Sequence, residues 1–348
     1  IEVEVCYGMK LAEPINLESL ELPELSLYVH IPWCTRKCPY CDFNSHVSPK
    51  DIPEKAYTDQ LLEDLQKDLL YVQGRKISSI FFGGGTPSLF SGESITRVIE
   101  AAEKLIGFED NLEITLEVNP GTMEQSRFKS YLQSGVNRLS IGAQTFNDNH
   151  LKALGRIHSG LEARRAVESA QNIGIRQINV DLMHGLKYQT VEDSLKDLSW
   201  LIDANVQHIS WYQLTIEPNT VFYSDPPTLP AEDVIFSIQQ AGLDILANGG
   251  YEQYEVSAFA QPAGESRHNT NYWRFGDYIG IGAGAHGKIT CIDIQDIIRT
   301  RKPRQPNQYM KSDKGAGTQK KTVPPNERPL EFMMNALRLR KGIPSIYY

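Results

Sequence analysis

The sequence predicts an α/β barrel, open or closed, on three observations. From Leu25 onward short apolar runs alternate with segments of helical period. That beat implies parallel strands joined by right-handed crossovers. No dinucleotide-binding fingerprint follows the first run, so a doubly wound nucleotide fold has no support there. The polar and glycine-rich stretches fall just after the predicted strands, which is where barrels gather their chemistry.

Taken in order, residues 27–31 read as a strand, stopped by Pro32, which has no N–H for a ladder. Residues 54–71 form a helix with Leu61, Leu62, Leu65 and Leu69 at helical spacing. A buried strand at 77–82 and a helix at 94–105 follow. Residues 112–118 alternate apolar and polar side chains, as a strand does. The pattern continues with a helix at 123–133 closed by Ser134-Gly135, a strand at 138–141 and a helix at 161–172. A strand at 175–182 and a helix at 191–203 come next, the latter with Leu195, Leu198 and Leu201 on one face. A strand at 208–212, a helix at 231–247 and a strand near 251–256 complete the beat. The barrel is expected over 25–290. Residues 1–24 carry six glutamates among scattered apolar residues and read as a poorly ordered arm. Residues 291–329, basic and dotted with Pro and Gly, read as a flexible segment. Residues 330–348 open a helical appendage, expected to be truncated by the end of the chain.

Composition bounds the function. With 348 residues and 41% hydrophobic content there is material for one large domain and a small appendage. The net charge of −8 gives no support to nucleic-acid binding. No apolar run approaches the roughly 18 residues that span a bilayer. Five cysteines, three of them clustered, suit a reducing compartment. A soluble, cytoplasmic protein with at most peripheral membrane contact is the expectation.

The cluster is Cys34-Thr-Arg-Lys-Cys38-Pro-Tyr-Cys41, spaced C-x3-C-x2-C, on a loop that leaves the end of the first strand. Three thiolates suit a [4Fe–4S] cluster and leave one of its irons open. Structural zinc prefers four ligands, and a disulfide would leave an odd thiol. Cys6 and Cys291 read as ordinary free thiols.

Tyr28-Val-His-Ile-Pro-Trp-Cys34, the two further cysteines and Asp42-Phe43 resemble the signature of radical S-adenosylmethionine (SAM) proteins. Within them the run is similar to the oxygen-independent coproporphyrinogen III oxidase group. The oxidases of that group carry a fourth Cys where this chain has Phe43, which resembles instead the haem-chaperone branch, HemW. The resemblance implies a partial (β/α)6 radical SAM barrel, a [4Fe–4S] cluster on Cys34, Cys38 and Cys41, and SAM. Tyr28 and Tyr40 lie in the signature and are expected at the cofactor.

Gly83-Gly84-Gly85-Thr86-Pro87 follows the 77–82 strand. Without Cβ atoms its backbone can approach a ligand closely, although a tight turn would also explain it. By resemblance it is the glycine motif that meets the SAM amino group, with Gly84, Gly85 and Thr86 at the ligand. Glu117, Gln144, Arg156 and Asp181 each lie near a predicted strand end or in the loop after it. A solvated edge is the bland alternative. The resemblance implies that they contact SAM, Arg through its carboxylate and Asp through ribose hydroxyls. Gly282-Ala-Gly284-Ala-His-Gly287 fails as a nucleotide fingerprint because strand, not helix, follows it. It reads as a turn closing the barrel over the SAM adenine.

His268-Asn-Thr-Asn-Tyr272-Trp273 offers two flat aromatic faces and an imidazole, the commonest haem ligand. An amphipathic turn packed on the barrel explains the same residues. HNxxYW, however, resembles the haem-associated motif of the chaperone branch, which implies haem binding by His268, Tyr272 and Trp273. His286 and His30 are rival ligands. Two functions remain: a haem chaperone that passes haem to an acceptor protein, or a coproporphyrinogen III oxidase. Phe43 disfavours the oxidase. A radical SAM enzyme with another substrate is the blander third reading.

Overall fold

A computed structural model describes residues 20–311 and 317–344. The strand–helix beat folds into a parallel sheet. Strands β1 (Leu25–Ile31), β2 (Ile77–Gly84), β3 (Phe108–Val118), β4 (Arg138–Gln144), β5 (Gln177–His184) and β6 (His208–Gln213) lie side by side in chain order. All five pairings between them are parallel. The intervening chain forms α1 (Glu54–Lys67), α2 (Gly92–Leu105), α3 (Thr122–Gln133), the short α4 (Asp148–Ala153), α5 (Gly160–Asn172) and α6 (Val191–Asp203). After β6 come α7 (Val221–Ser224) and α8 (Glu232–Asn248). Capping boxes start α5 (Ser159 with Glu162) and α6 (Thr190 with Asp193).

Pleating sorts each strand into two faces. In β1, Leu25, Leu27, Val29 and Ile31 join the main apolar core. The alternate residues serve the interior: Ser26 bonds Ser79, and Tyr28 and His30 line a cavity.

The sheet is larger than the sequence suggests. β7 (Glu252–Glu255) and β8 (Ala258–Ala260) form a hairpin whose second strand pairs antiparallel with β6, so the strand expected near 251–256 is an edge and not a barrel stave. After α9 (Arg267–Trp273), β9 (Asp277–Ile281) pairs parallel with β1 on the side away from β2 and adds a seventh parallel strand. Asp277-Tyr-Ile-Gly-Ile hides as a strand because Gly280 interrupts it. That glycine is required, since a Cβ there would lie 1.9 Å from the His286 carbonyl oxygen.

The flexible segment expected at 291–329 is corrected. β10 (His286–Cys291), β11 (Asp296–Arg301) and β12 (Gln319–Thr322) extend the sheet antiparallel from β9, with α10 (Pro306–Lys311) between the last two. The basic charge is partly buried and paired rather than solvated. Lys302 meets both Asp64 and Asp68 of the α1 region, and Tyr309 donates to Asp64 at 2.8 Å. The expected 1–24 arm also changes: residues 1–19 lie outside the described residues, but Leu20 donates to Gln295 and the Glu24 carbonyl accepts from Asp277. α11 (Arg328–Ala336) begins close to the helix expected from 330, and residues 345–348 lie outside the described residues.

Asp277, fully buried at the start of β9, joins these parts. It pairs with Arg75 (2.8 Å) and Lys288 (2.9 Å) and accepts from the Thr290 amide (2.7 Å) and hydroxyl (2.9 Å). Burial lowers the pKa of Lys288, so its charge depends on this carboxylate. Removing one partner of a buried ion pair strands the other. Asp277→Ala is therefore expected to lower unfolding free energy by about 3–5 kcal/mol in urea titrations, with Lys288→Met added to it recovering part of the loss.

Candidate functional site

The thiol loop leaves the C-terminal end of β1, where backbones approach too closely for side chains. A Cβ on Gly84 (φ +116°) would lie 2.5 Å from the His30 ring, and one on Gly282 (φ +104°) 2.3 Å from the His30 carbonyl oxygen. Both positions also need a backbone that L side chains rarely adopt. The amides of Gly85 and Thr86 donate to the Ile31 and Trp33 carbonyls, each at 2.8 Å, and seat the glycine turn beside the loop. Trp33–Cys34 pairs with His46–Val47 in a short parallel ladder that folds the loop back on itself. Asn44 then ties the loop to the 282–285 turn by donating to the Ala283 carbonyl at 2.9 Å. That turn, expected to close the barrel over the SAM adenine, follows β9 and packs on His30 and Asn44, at the back of the thiol loop.

Cys34, Cys38 and Cys41 open into one cavity of about 850 Å³. Tyr28, Tyr40, Gly84, Gly85, Thr86, Glu117, Gln144, Arg156 and Asp181 line the same cavity. These nine residues, expected at the cofactor, therefore share one cavity with the thiols. Burial pushes the Cys34 and Cys41 thiols up, so the thiolate form depends on a bound metal. Arg156 donates to Cys38 Sγ at 3.6 Å, Asn119 Oδ1 at 2.8 Å and the Gly142 carbonyl at 2.7 Å. Gln144 is held at φ +69°, a conformation uncommon for a residue with a side chain, and accepts from the Tyr212 hydroxyl at 2.9 Å. Asp181 accepts from Asn179 at 2.8 Å. Glu117 accepts from the Gly84 amide at 3.1 Å; its burial, with Asp181 nearby, pushes its pKa up to about 8.

The cavity is built for polar guests. Thr115 Oγ1, Arg138 Nη1, Arg156 Nε, Trp273 Nε1 and Arg338 Nε are buried without hydrogen-bond partners among the described residues, and all five residues line it. Such atoms are rare in folded proteins and mark places for ligands or water. Three thiols, glycine backbone on the cavity wall, two carboxylates and a guanidinium fit a [4Fe–4S] cluster with SAM beside it.

The structure places His268 differently from the expectation. It is fully buried in α9, with Nδ1 hydrogen-bonded to Ser79 Oγ (2.9 Å) and Nε2 to the Tyr272 hydroxyl (2.7 Å). Burial holds its pKa near 3. With both ring nitrogens engaged, His268 orients Tyr272 and has no free lone pair for iron. α9 lies against β2, where the His268 ring sits 5.1 Å from that of Phe81. Tyr272 and Trp273 still reach the cavity. They also line a second one of about 730 Å³, together with Tyr28, His30, Phe43, Gly84, Glu117 and His286. His30 is spent as well: Tyr28 donates to its Nδ1 (2.9 Å), and its Nε2 donates to the Asn44 carbonyl (3.0 Å). His286 is exposed.

Sequence reasoning missed Arg138, Asn179 and His208, which line the first cavity below the expected cofactor residues. A signal was present. Arg138, Ser140 and Gln144 recur at even spacing in β4, as do Asn179 and Asp181 in β5 and His208, Ser210 and Tyr212 in β6. Strands covered on both faces ordinarily read as unbroken apolar runs, so this alternation marks a polar barrel interior.

A parallel half-barrel with three thiols on the loop after its first strand defines a radical SAM protein. The model of the radical SAM superfamily matches residues 28–201. The chain is 52% identical to the heme chaperone HemW of Haemophilus influenzae, over 93% of this chain and 85% of that protein. It is 49% identical to the heme chaperone HemW of Escherichia coli, over 94% and 86%. It therefore belongs to the HemW family within the radical SAM superfamily. Its fold matches that of the solved coproporphyrinogen III oxidase HemN from Escherichia coli with a TM-score of 0.77 at 23% identity, over 91% of this chain and 76% of that one.

Glu117 gives a pH test. Its pKa rises on folding from an ordinary 4.5 to about 8, so the folded chain holds a proton that the unfolded chain releases. Stability from this group is full below the ordinary value and is lost as pH rises through the folded one. Glu117→Gln should melt progressively higher than the parent between about pH 5 and pH 9, read by calorimetry without ligands. A constant gap across that range would contradict the assignment.

Proposed function

We propose that this chain is a haem chaperone: it carries a [4Fe–4S] cluster and SAM, binds haem and passes it to an acceptor protein. The observation that carries this reading is identity of about half, along nearly the whole chain, with proteins named heme chaperone HemW. Phe43 supports it, standing where the oxidase pattern has its fourth Cys. A cytoplasmic location belongs to the proposal, since three cluster thiols must stay reduced. Membrane contact, where the acceptor requires it, is peripheral; no helix among the described residues is long and apolar enough to cross a membrane.

In this reading Cys34, Cys38 and Cys41 hold the cluster. Glu117 and the Gly84–Gly85 backbone receive the SAM amino group, Arg156 its carboxylate, and Asp181 and Gln144 the nucleoside. When bound, cluster and SAM together supply one-electron chemistry at a sulfonium. The chain contributes orientation, a cavity lined with polar groups and the charge of Arg156 beside Cys38.

Anaerobic reconstitution is expected to load about four irons and four sulfides per chain. Joint replacement of Cys34, Cys38 and Cys41 by Ala should abolish this. Cys291→Ala should not, because Cys291 ends β10 and lines neither cavity. Arg156→Ala should weaken SAM binding by about tenfold or more, the loss of a charge-assisted pair, with iron content unchanged.

The function itself is tested by adding haem and, separately, coproporphyrinogen III to the loaded protein. One haem should bind per chain and move to an apo-haem protein added afterwards. No vinyl product should form even with SAM and reductant. Robust decarboxylation would replace the chaperone reading with the oxidase.

A further inference from the structure

We propose that haem is seated in the second cavity, with His286 as its iron ligand and Arg301 and Arg304 holding its propionates. This rests on the haem-binding reading above and goes beyond it by placing the macrocycle and moving the ligand off the HNxxYW motif.

The walls suit a porphyrin. Tyr272, Trp273, Phe275, Tyr278 and Phe43 line a space of about 730 Å³, with Tyr272 and Tyr278 packed edge to face at 4.6 Å. That volume is in the range of roughly 300–1,000 Å³ usual for sites that bury a flat organic ligand. Phe43, the residue that replaces the fourth Cys of the oxidase pattern, is 59% exposed beside it. An exposed aromatic ring at a cavity mouth is a ready face for a macrocycle.

Among the described residues only one histidine at these cavities offers a free imidazole, since His208 meets Asn179 through Nδ1 and Tyr254 through Nε2. His30 and His268 use both ring nitrogens internally. The His286 ring has no hydrogen-bond partner among the described residues, and His286 begins β10 on the cavity wall. Arg301 of β11 is its direct cross-strand partner. Directly opposed residues project to the same face with Cβ atoms about 5 Å apart, so imidazole and guanidinium enter the cavity together. Arg304 lines it too. Neither Arg301 nor Arg304 has a carboxylate partner among the described residues, whereas Arg299 is already paired with Glu331. Arg304 spends only its Nε, on Asn44 Oδ1 at 3.3 Å, so two guanidiniums without a carboxylate match two propionates, through charge-assisted hydrogen bonds.

The test is titration of the reconstituted full chain with ferric haem, read by Soret absorbance and EPR. His286→Ala should change both spectra and weaken binding at least tenfold, and added imidazole should restore the parent spectrum. Arg301→Gln with Arg304→Gln should weaken haem binding about tenfold but leave the dimethyl ester of haem, which lacks free propionates, bound as by the parent. Parent-like spectra and affinity in His286→Ala overturn the assignment, as does equal loss of haem and its ester in the arginine variant. Failure of the unaltered chain to bind haem overturns this proposal and the chaperone reading together. Haem bound with parent spectra in every variant overturns this proposal alone.

Discussion

The site depends on a steric condition at one residue, His30. The ends of β2 and β9 reach β1 at distances that admit only glycine, Gly84 from one side and Gly282 from the other. Any larger residue at either place would push a parallel strand off the one that carries the thiol loop. The same approach aims the Gly84 amide at Glu117, sets the Gly85 and Thr86 amides on the loop's first carbonyls, and lets Asn44 fasten the loop to the turn after β9. Backbone contact therefore comes first, and the thiols, the acid and the aromatic wall take their places from it.

The two cavities share part of a wall. Tyr28, Gly84, Glu117, Tyr272 and Trp273 belong to both. Behind them the barrel interior is wet in character, with Arg138, Asn179 and His208 where a packed barrel would carry aliphatic residues. His268 and Tyr272 join this polar layer to the aromatic face above it through one hydrogen bond. The HNxxYW stretch thus stands between the two cavities and contributes Tyr272 and Trp273 to the walls of both.

Much of this is legible in the sequence where periodicity is strong. The helix expected at 191–203 has the observed bounds, because its leucines mark one face and Thr190 caps it. Of the residues expected at the cofactor, Gly84, Glu117, Gln144 and Asp181 can be picked out since they lie at or near the end of a readable strand. β5 starts two residues later than its apolar pattern, as Ile175 packs in the turn after α5 instead. β9 is illegible because a glycine occupies its middle, and β11 and β12 because basic residues disguise an antiparallel extension. Lys302 looks solvated until Asp64 and Asp68, more than two hundred residues away in sequence, are brought against it. For His268 the motif identifies the stretch, but only the folded neighbours show that Ser79 and Tyr272 occupy its nitrogens.

Among the described residues the sheet does not close, so it keeps two outer strands, and an outer strand can recruit another chain by its unpaired backbone groups. β12 is only four residues long, fully exposed, and carries Lys320 and Lys321 at its centre. A second copy pairing there would bring lysine against lysine. At the far side β7 presents Glu252 and Glu255, but residues 338–341 lie over it. Arg338 and Lys341 take up those two charges, and Leu339 bridges the strand's last residue. One border is thus protected by repulsion and the other by a cover, which leaves an open half-barrel free to admit a broad flat guest without offering its edges to its own kind.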